Sequence, residues 1–121
     1  MNTLFIAILS IALSVAAQFS LKTGMSGAQV KEALAQPFTL QTVVAVLTDK
    51  FIFGGFLLYG LGAIVWLGVL SKWDVSKAYP LVGLGFALTV IVGALVGENV
   101  TLSRVMGVTL ICAGVFLASR S

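Results

Sequence analysis

Histidine is absent from this 121-residue chain, cysteine occurs once and proline only twice. Each scarcity removes a class of chemistry. Without histidine, the commonest general base and metal ligand is missing. Cys112 stands alone inside an apolar run, so it can form no internal disulfide and anchors no cysteine-based metal site. Charged residues make up 9% of the chain, and no phosphate-cradling glycine loop, nucleophile elbow, pair of carboxylates or metal-spaced ligand set occurs. An enzyme is therefore not expected, nor a metal or cofactor.

What the chain has in excess is apolar surface: 60% hydrophobic residues and a mean hydropathy of +1.14. Four apolar runs, 3–21, 51–71, 78–97 and 105–118, carry no Asp, Glu, Lys or Arg between their ends. At about 1.5 Å per helical residue, each is close to the length needed to cross a ~30 Å hydrocarbon core. Lipid offers the backbone no hydrogen-bond partners, which leaves helices or a closed barrel. Continuous runs, rather than alternation, select helices. The expected fold is an all-α membrane protein: four transmembrane helices in one domain, 1–121, with one or two short interfacial helices between the first and second.

A net charge of +3 would point a soluble protein toward nucleic acid. Here Lys22, Lys50, Lys72, Lys77 and Arg120 flank apolar runs, the place for anchors to lipid headgroups, and no nucleic-acid partner is expected. Ser14-Val15-Ala16-Ala17-Gln18 has the small residues of a signal-peptide cleavage site. The stretch before the run carries no positive charge, however, so the first run is expected to remain as a membrane span. If the helices alternate, Lys72, Lys77 and Arg120 fall on one side and Lys22, Lys31, Lys50 and Arg104 on the other. That balance gives almost no orientation by the positive-inside rule and is compatible with insertion both ways.

Between Lys22 and Lys50 the chain is too long for a structureless loop. Gly24 and Gly27 are expected to stop the first helix. Residues 28–36 have helix-forming composition, Pro37 breaks them, and Thr39 can cap a second short helix through Leu47. Neither piece can span. Both are expected to lie along the headgroups, in preference to forming a re-entrant gate. Pro80 is expected in the first turn of the third span, where a missing N–H matters little.

Ser10, Ser14, Gln18 and Lys22 recur every four residues and make a slowly winding polar stripe on the first helix. Such a stripe belongs against other helices or a wet cavity. A membrane serine commonly bonds the carbonyl four residues back, whereas the Gln18 amide needs several partners. Lys22 is either a snorkelling anchor or a phosphate contact at the mouth of a groove. Tyr59 and Trp66 share a face of the second helix, and Tyr79 opens the third; they are stacking surfaces or packing residues. Glu98 is expected near the positive end of the fourth helix.

The last run reads Gly107-Val108-Thr109-Leu110-Ile111-Cys112-Ala113-Gly114-Val115. It resembles the G-L-x-L-I-x-x-G-V dimerisation segment of the small multidrug resistance transporters, with Val108 in place of the first Leu. The likeness implies a dimer through Gly107, Ile111 and Gly114, antiparallel in that family. Those exporters bind proton and cation through a glutamate in the middle of helix 1, eight residues before a lysine. The matching positions here are Ser14 and Lys22, and without the carboxylate cation–proton antiport is not expected.

A second, EamA-like branch of the drug/metabolite transporter superfamily fits better. Leu13-Ser14-Val15-Ala16-Ala17-Gln18 resembles the L-S-V-A-G-Q start of the aminoarabinose-phosphoundecaprenol flippase subunits. Trp66-Leu67, Val69-Leu70, Ala78-Tyr79-Pro80 and Glu98 are similar to that family at the same spacing, while residues 25–50 are longer. The resemblance implies a multi-pass transporter of the bacterial inner membrane that moves a polyprenyl-phosphate or its glycosylated form. It would work as a homodimer or with a related small subunit. Ser14 and Gln18 would then hold the polar head, Tyr59, Trp66 and Tyr79 would stack on it, and Lys22 with Arg104 would attract phosphate, with Glu98 completing the set. The rivals are export of a small metabolite or cation, and a non-transporting membrane scaffold.

Overall fold

A computed structural model describes residues 2–120 and contains helices and turns, with no strand among the described residues. The first span, α1 (Thr3–Met25), starts where the Asn2 side-chain oxygen accepts the Leu4 N–H at 3.0 Å, satisfying one of the donors a helix start leaves open. It runs past Lys22. Gly24 does not stop it, because that glycine faces Asp49 and Ile52 of the next span at contact distance. The end comes at Ser26, whose hydroxyl and N–H both donate to the Lys22 carbonyl, at 2.8 and 3.0 Å.

Two short helices follow, α2 (Ala28–Leu34) and α3 (Leu40–Leu47), packed against each other. Thr39 caps α3, donating its N–H to the Thr42 hydroxyl at 3.2 Å. The pair keeps Glu32, Gln36, Gln41 and Thr42 on one side, around a polar cleft, and leaves Phe38 and Leu40 exposed at its tip.

The second span, α4 (Lys50–Leu70), is capped by Asp49, whose carboxylate accepts from the N–H groups of Phe51 and Ile52 at 3.0 and 3.2 Å. It lies antiparallel on α1, and this is the closest helix pair in the molecule. Ile52, Gly55, Gly62 and Val69 form its buried seam. A Cβ on Gly55 would stand 3.2 Å from the Ala17 carbonyl and 2.7 Å from Leu21, so only glycine lets the two backbones approach this far.

The third span runs from Val75 to Leu95 and is not one continuous α-helix. It opens with α5 (Val75–Ala78), tightens into a 3-10 turn over Tyr79–Gly83, and resumes as α6 (Leu84–Leu95). The helix begins three residues before the apolar run, so Pro80 falls inside it rather than in its first turn. Proline cannot donate to the carbonyl four residues back, and the chain winds tighter there. At the far end Gly97, at φ +92°, closes α6: its N–H bonds Ala94 and the Glu98 N–H bonds Gly93, at 3.3 and 2.9 Å. The fourth span, α7 (Leu102–Arg120), is longer at both ends than its charge-free run. It packs only along one side, with Val115 buried against the 3-10 turn, while Leu110 and Leu117 stand exposed. All four spans are long and apolar enough to cross a membrane.

Candidate functional site

Both α4 and the third span pack on α1, and between them a groove of about 330 Å³ opens above α1. The four-residue spacing on α1 turns Ser10, Ser14 and Gln18 into it. Across from them α4 contributes Tyr59, Gly62 and Trp66, and the third span contributes Tyr79, Phe86 and Thr89. Gln18 and Tyr59 lie toward the Lys22 end, Trp66 and Tyr79 toward the Lys72–Lys77 end.

The serine and threonine hydroxyls of this groove are committed as donors. Ser10 Oγ donates to the Gly62 carbonyl at 2.7 Å, tying α1 to α4 through a buried hydrogen bond. Ser14 Oγ donates to the Ser10 carbonyl at 3.1 Å, and Thr89 Oγ1 to the Gly85 carbonyl at 2.7 Å. Each oxygen therefore turns only lone pairs to the groove. Gln18 Nε2 donates to the Tyr59 hydroxyl across the gap between α1 and α4. No charged side chain lines the groove. It can accept hydrogen bonds at its serine and threonine oxygens, donate them from the tyrosine hydroxyls and the Trp66 indole, and offer aromatic faces, but it has no group to hold a cation or anion by charge.

Five of the eight residues expected to meet the substrate thus come together, Ser14, Gln18, Tyr59, Trp66 and Tyr79, with Ser10 of the same stripe beside them. Lys22 does not line the groove; it is exposed one turn beyond Gln18, at the membrane end of α1. Arg104 stands on the first turn of α7 at that same end, its guanidinium donating to the Asn99 carbonyl at 3.0 Å. Glu98 is not at the start of α7. Thr101 caps that helix, its hydroxyl accepting the Arg104 N–H at 3.2 Å, and the Glu98 carboxylate folds back over Gly93 of α6. None of residues 25–50 is among the residues that line the groove. Thr89 was missed, although it is the one hydroxyl-bearing aliphatic residue in the run 78–97, a signal of its own in lipid. No cluster of metal-ligating side chains occurs among the described residues.

On α7, Gly107 and Gly114 face open space. Ile111 stands about 40° and 60° round the helix from Gly107 and Gly114, on the flank of the same face, and is partly exposed; its Cγ2 also sits 3.0 Å from where a Cβ on Gly83 would be, where α7 meets the 3-10 turn.

No family model and no solved structure matches the chain. Curated relatives do. The protein of Pseudomonas savastanoi pv. phaseolicola named 4-amino-4-deoxy-L-arabinose-phosphoundecaprenol flippase subunit ArnE is 40% identical over 83 residues, covering 68% of this chain and 73% of its own. Two proteins named as the ArnF subunit of the same flippase match over more of the chain. That of Sodalis glossinidius is 32% identical over 122 residues, covering 92% of this chain and 85% of its own. That of Proteus mirabilis is 31% identical over 118 residues, covering 94% and 89%.

Proposed function

Because this chain belongs to the family of ArnE and ArnF flippase subunits, we propose that it carries a polyprenyl-phosphate-linked sugar across the bacterial inner membrane, together with a second small subunit. The observation that supports this most directly is the uncharged groove on α1, with the lone pairs of its serine and threonine oxygens beside three aromatic side chains. A sugar is rich in hydroxyl donors and has apolar ring faces. The lone pairs of Ser14, Thr89 and Gln18 suit the first, and Tyr59, Trp66 and Tyr79 suit the second. A phosphate has neither property. Its place in this reading is the rim, where Lys22 stands one turn past Gln18 and Arg104 lies at the same membrane end. Glu98 belongs to that rim and carries no direct contact to the sugar.

The polyprenyl tail remains in the bilayer, so only the head needs a polar path. One protomer gives that path a floor and two walls; a second copy or a related subunit closes it. Rocking of the two subunits about the midplane then exposes the groove to one leaflet and the other in turn. No bond is made or broken, which is transport rather than catalysis.

The test is leaflet-resolved loss of a labelled lipid-phosphate sugar in proteoliposomes. Gln18→Leu removes the most polar side chain of the groove and is expected to slow that loss by about ten-fold, the value of one hydrogen bond in a water-poor site. Unchanged flipping by Gln18→Leu leaves the groove without a role. Saturable uptake of a water-soluble metabolite, with no lipid required, would replace the flippase reading altogether.

A further inference from the structure

At the opposite end of the molecule from Gln18, a second crevice of about 400 Å³ lies between the third span, α7 and the start of α1. Its walls are Leu4, Leu81, Leu84, Cys112, Val115 and Phe116. It runs inward from the turn that carries Lys72 to Lys77. Both Lys77 to Leu84 and Ser119 to Cys112 are seven residues, roughly 10 Å of helix, which takes the crevice well into the hydrocarbon. Water is a poor occupant, since a wall of this kind gives it no hydrogen bonds.

The mouth differs in kind from the interior. Two aromatic rings frame it, and each carries a cation on its face. Lys77 Nζ is 4.6 Å from the Trp73 ring centroid, and the Arg120 guanidinium is 5.6 Å from that of Phe116. Lys72 adds a third basic group to this end, against the single carboxylate of Asp74. An apolar slot in the hydrocarbon, with Lys77 at its mouth and Arg120 held on the ring of its wall residue Phe116, is complementary to an acyl chain ending in a negatively charged phosphate.

We propose that this crevice is a binding site for one anionic phospholipid, its acyl chain between the third span and α7 and its phosphate between Lys77 and Arg120. The site is separate from the groove on α1. It is separate from the outward glycines as well, because Cys112, Phe116 and Ser119 lie about 120–180° round α7 from Gly107 and Gly114 at ~100° per residue, with Val115 at the near edge, about 80–100° away. Pairing through those glycines leaves the crevice open. A lipid held there bridges α7 to the rest of the protomer, which it otherwise touches along one side only.

Trp66→Phe leaves Trp73 as the only tryptophan and makes it a reporter at the crevice mouth. The full chain with this change is placed in phosphatidylcholine vesicles containing phosphatidylglycerol, with brominated acyl chains on one lipid or the other. Brominated phosphatidylglycerol is expected to quench Trp73 at about five-fold lower mole fraction than brominated phosphatidylcholine, the effect of one phosphate contact. Lys77→Gln with Arg120→Gln is expected to erase that preference, and Lys77→Arg to retain it. Cys112→Phe, which fills the slot, is expected to abolish it with the cations intact. Equal quenching by the two lipids overturns the proposal. So does Lys72→Gln, outside the crevice, erasing the preference as fully as the Lys77 and Arg120 pair, since that is diffuse attraction of a basic surface.

Discussion

Ser10 and Ser14 are one helical turn apart on the same stripe, yet their hydroxyls do different things. Ser10 reaches out of its own helix to the Gly62 carbonyl, and Ser14 bonds back within α1 to the carbonyl of Ser10. The first bond holds two helices together in a buried setting. Its loss in Ser10→Ala is expected to destabilise the fold by about 0.6 kcal/mol, the average for polar contacts between membrane helices, and by no more than about 1.7 kcal/mol. Ser14→Ala removes no contact between helices and is expected to leave the melting temperature in detergent unchanged. It removes a lone pair from the groove, so transport should fall while stability does not. A melting temperature lowered by Ser14→Ala and not by Ser10→Ala would reverse these assignments. The stripe itself was visible in the sequence, because a four-residue spacing fixes one helix face. Which serine leaves its helix was not visible, since that depends on Gly62 bringing α4 within reach of Ser10.

Among the elements, the α1–α4 pair sets the frame on which the groove is built. Gly55 faces the Ala17 carbonyl and Leu21, whereas Gly60 on the same helix faces open space. Gly55→Leu has to push two backbones apart and is expected to lower stability by about 1–3 kcal/mol, as overpacking does. Gly60→Leu is expected to be neutral or mildly stabilising, because a strong helix former replaces glycine with nothing in its way. Thermal unfolding in detergent distinguishes the two; equal effects would mean that helix propensity, not close approach, explains these glycines. The four spans could be read from charge-free runs alone, because lipid leaves an apolar run of that length few alternatives. The break in the third span could not. It depends on whether Pro80 lies in the first turn or beyond it, and the stretch Val75, Ser76 and Lys77 is polar enough to lie outside the run while still folding as helix. The end of α1 moved for a related reason: Gly24 is a packing residue against α4, and a glycine in sequence does not declare which of its two roles it plays.

For the molecule as a whole, the imbalance between its helices is the informative property. α1 is shared by two walls, but α7 has almost no buried residues and carries two glycines, seven apart, on its free side. Glycine weakens a helix by about 1 kcal/mol relative to alanine, and nothing inside the protomer needs it at Gly107 or Gly114. In the proposed dimer a partner helix would, since it gains dispersion contacts by approaching a surface without side chains. Gly107→Leu with Gly114→Leu is therefore expected to leave the protomer folded, because both positions open onto empty space, while reducing the dimer fraction by at least about ten-fold in native mass spectrometry. Transport should fall with it if, as proposed, a second subunit closes the path. A variant that dimerises normally would move the interface away from α7. Loss of cellular function in the glycine variant, together with full function in Gln18→Leu, would describe a scaffold that binds its partner and transports nothing.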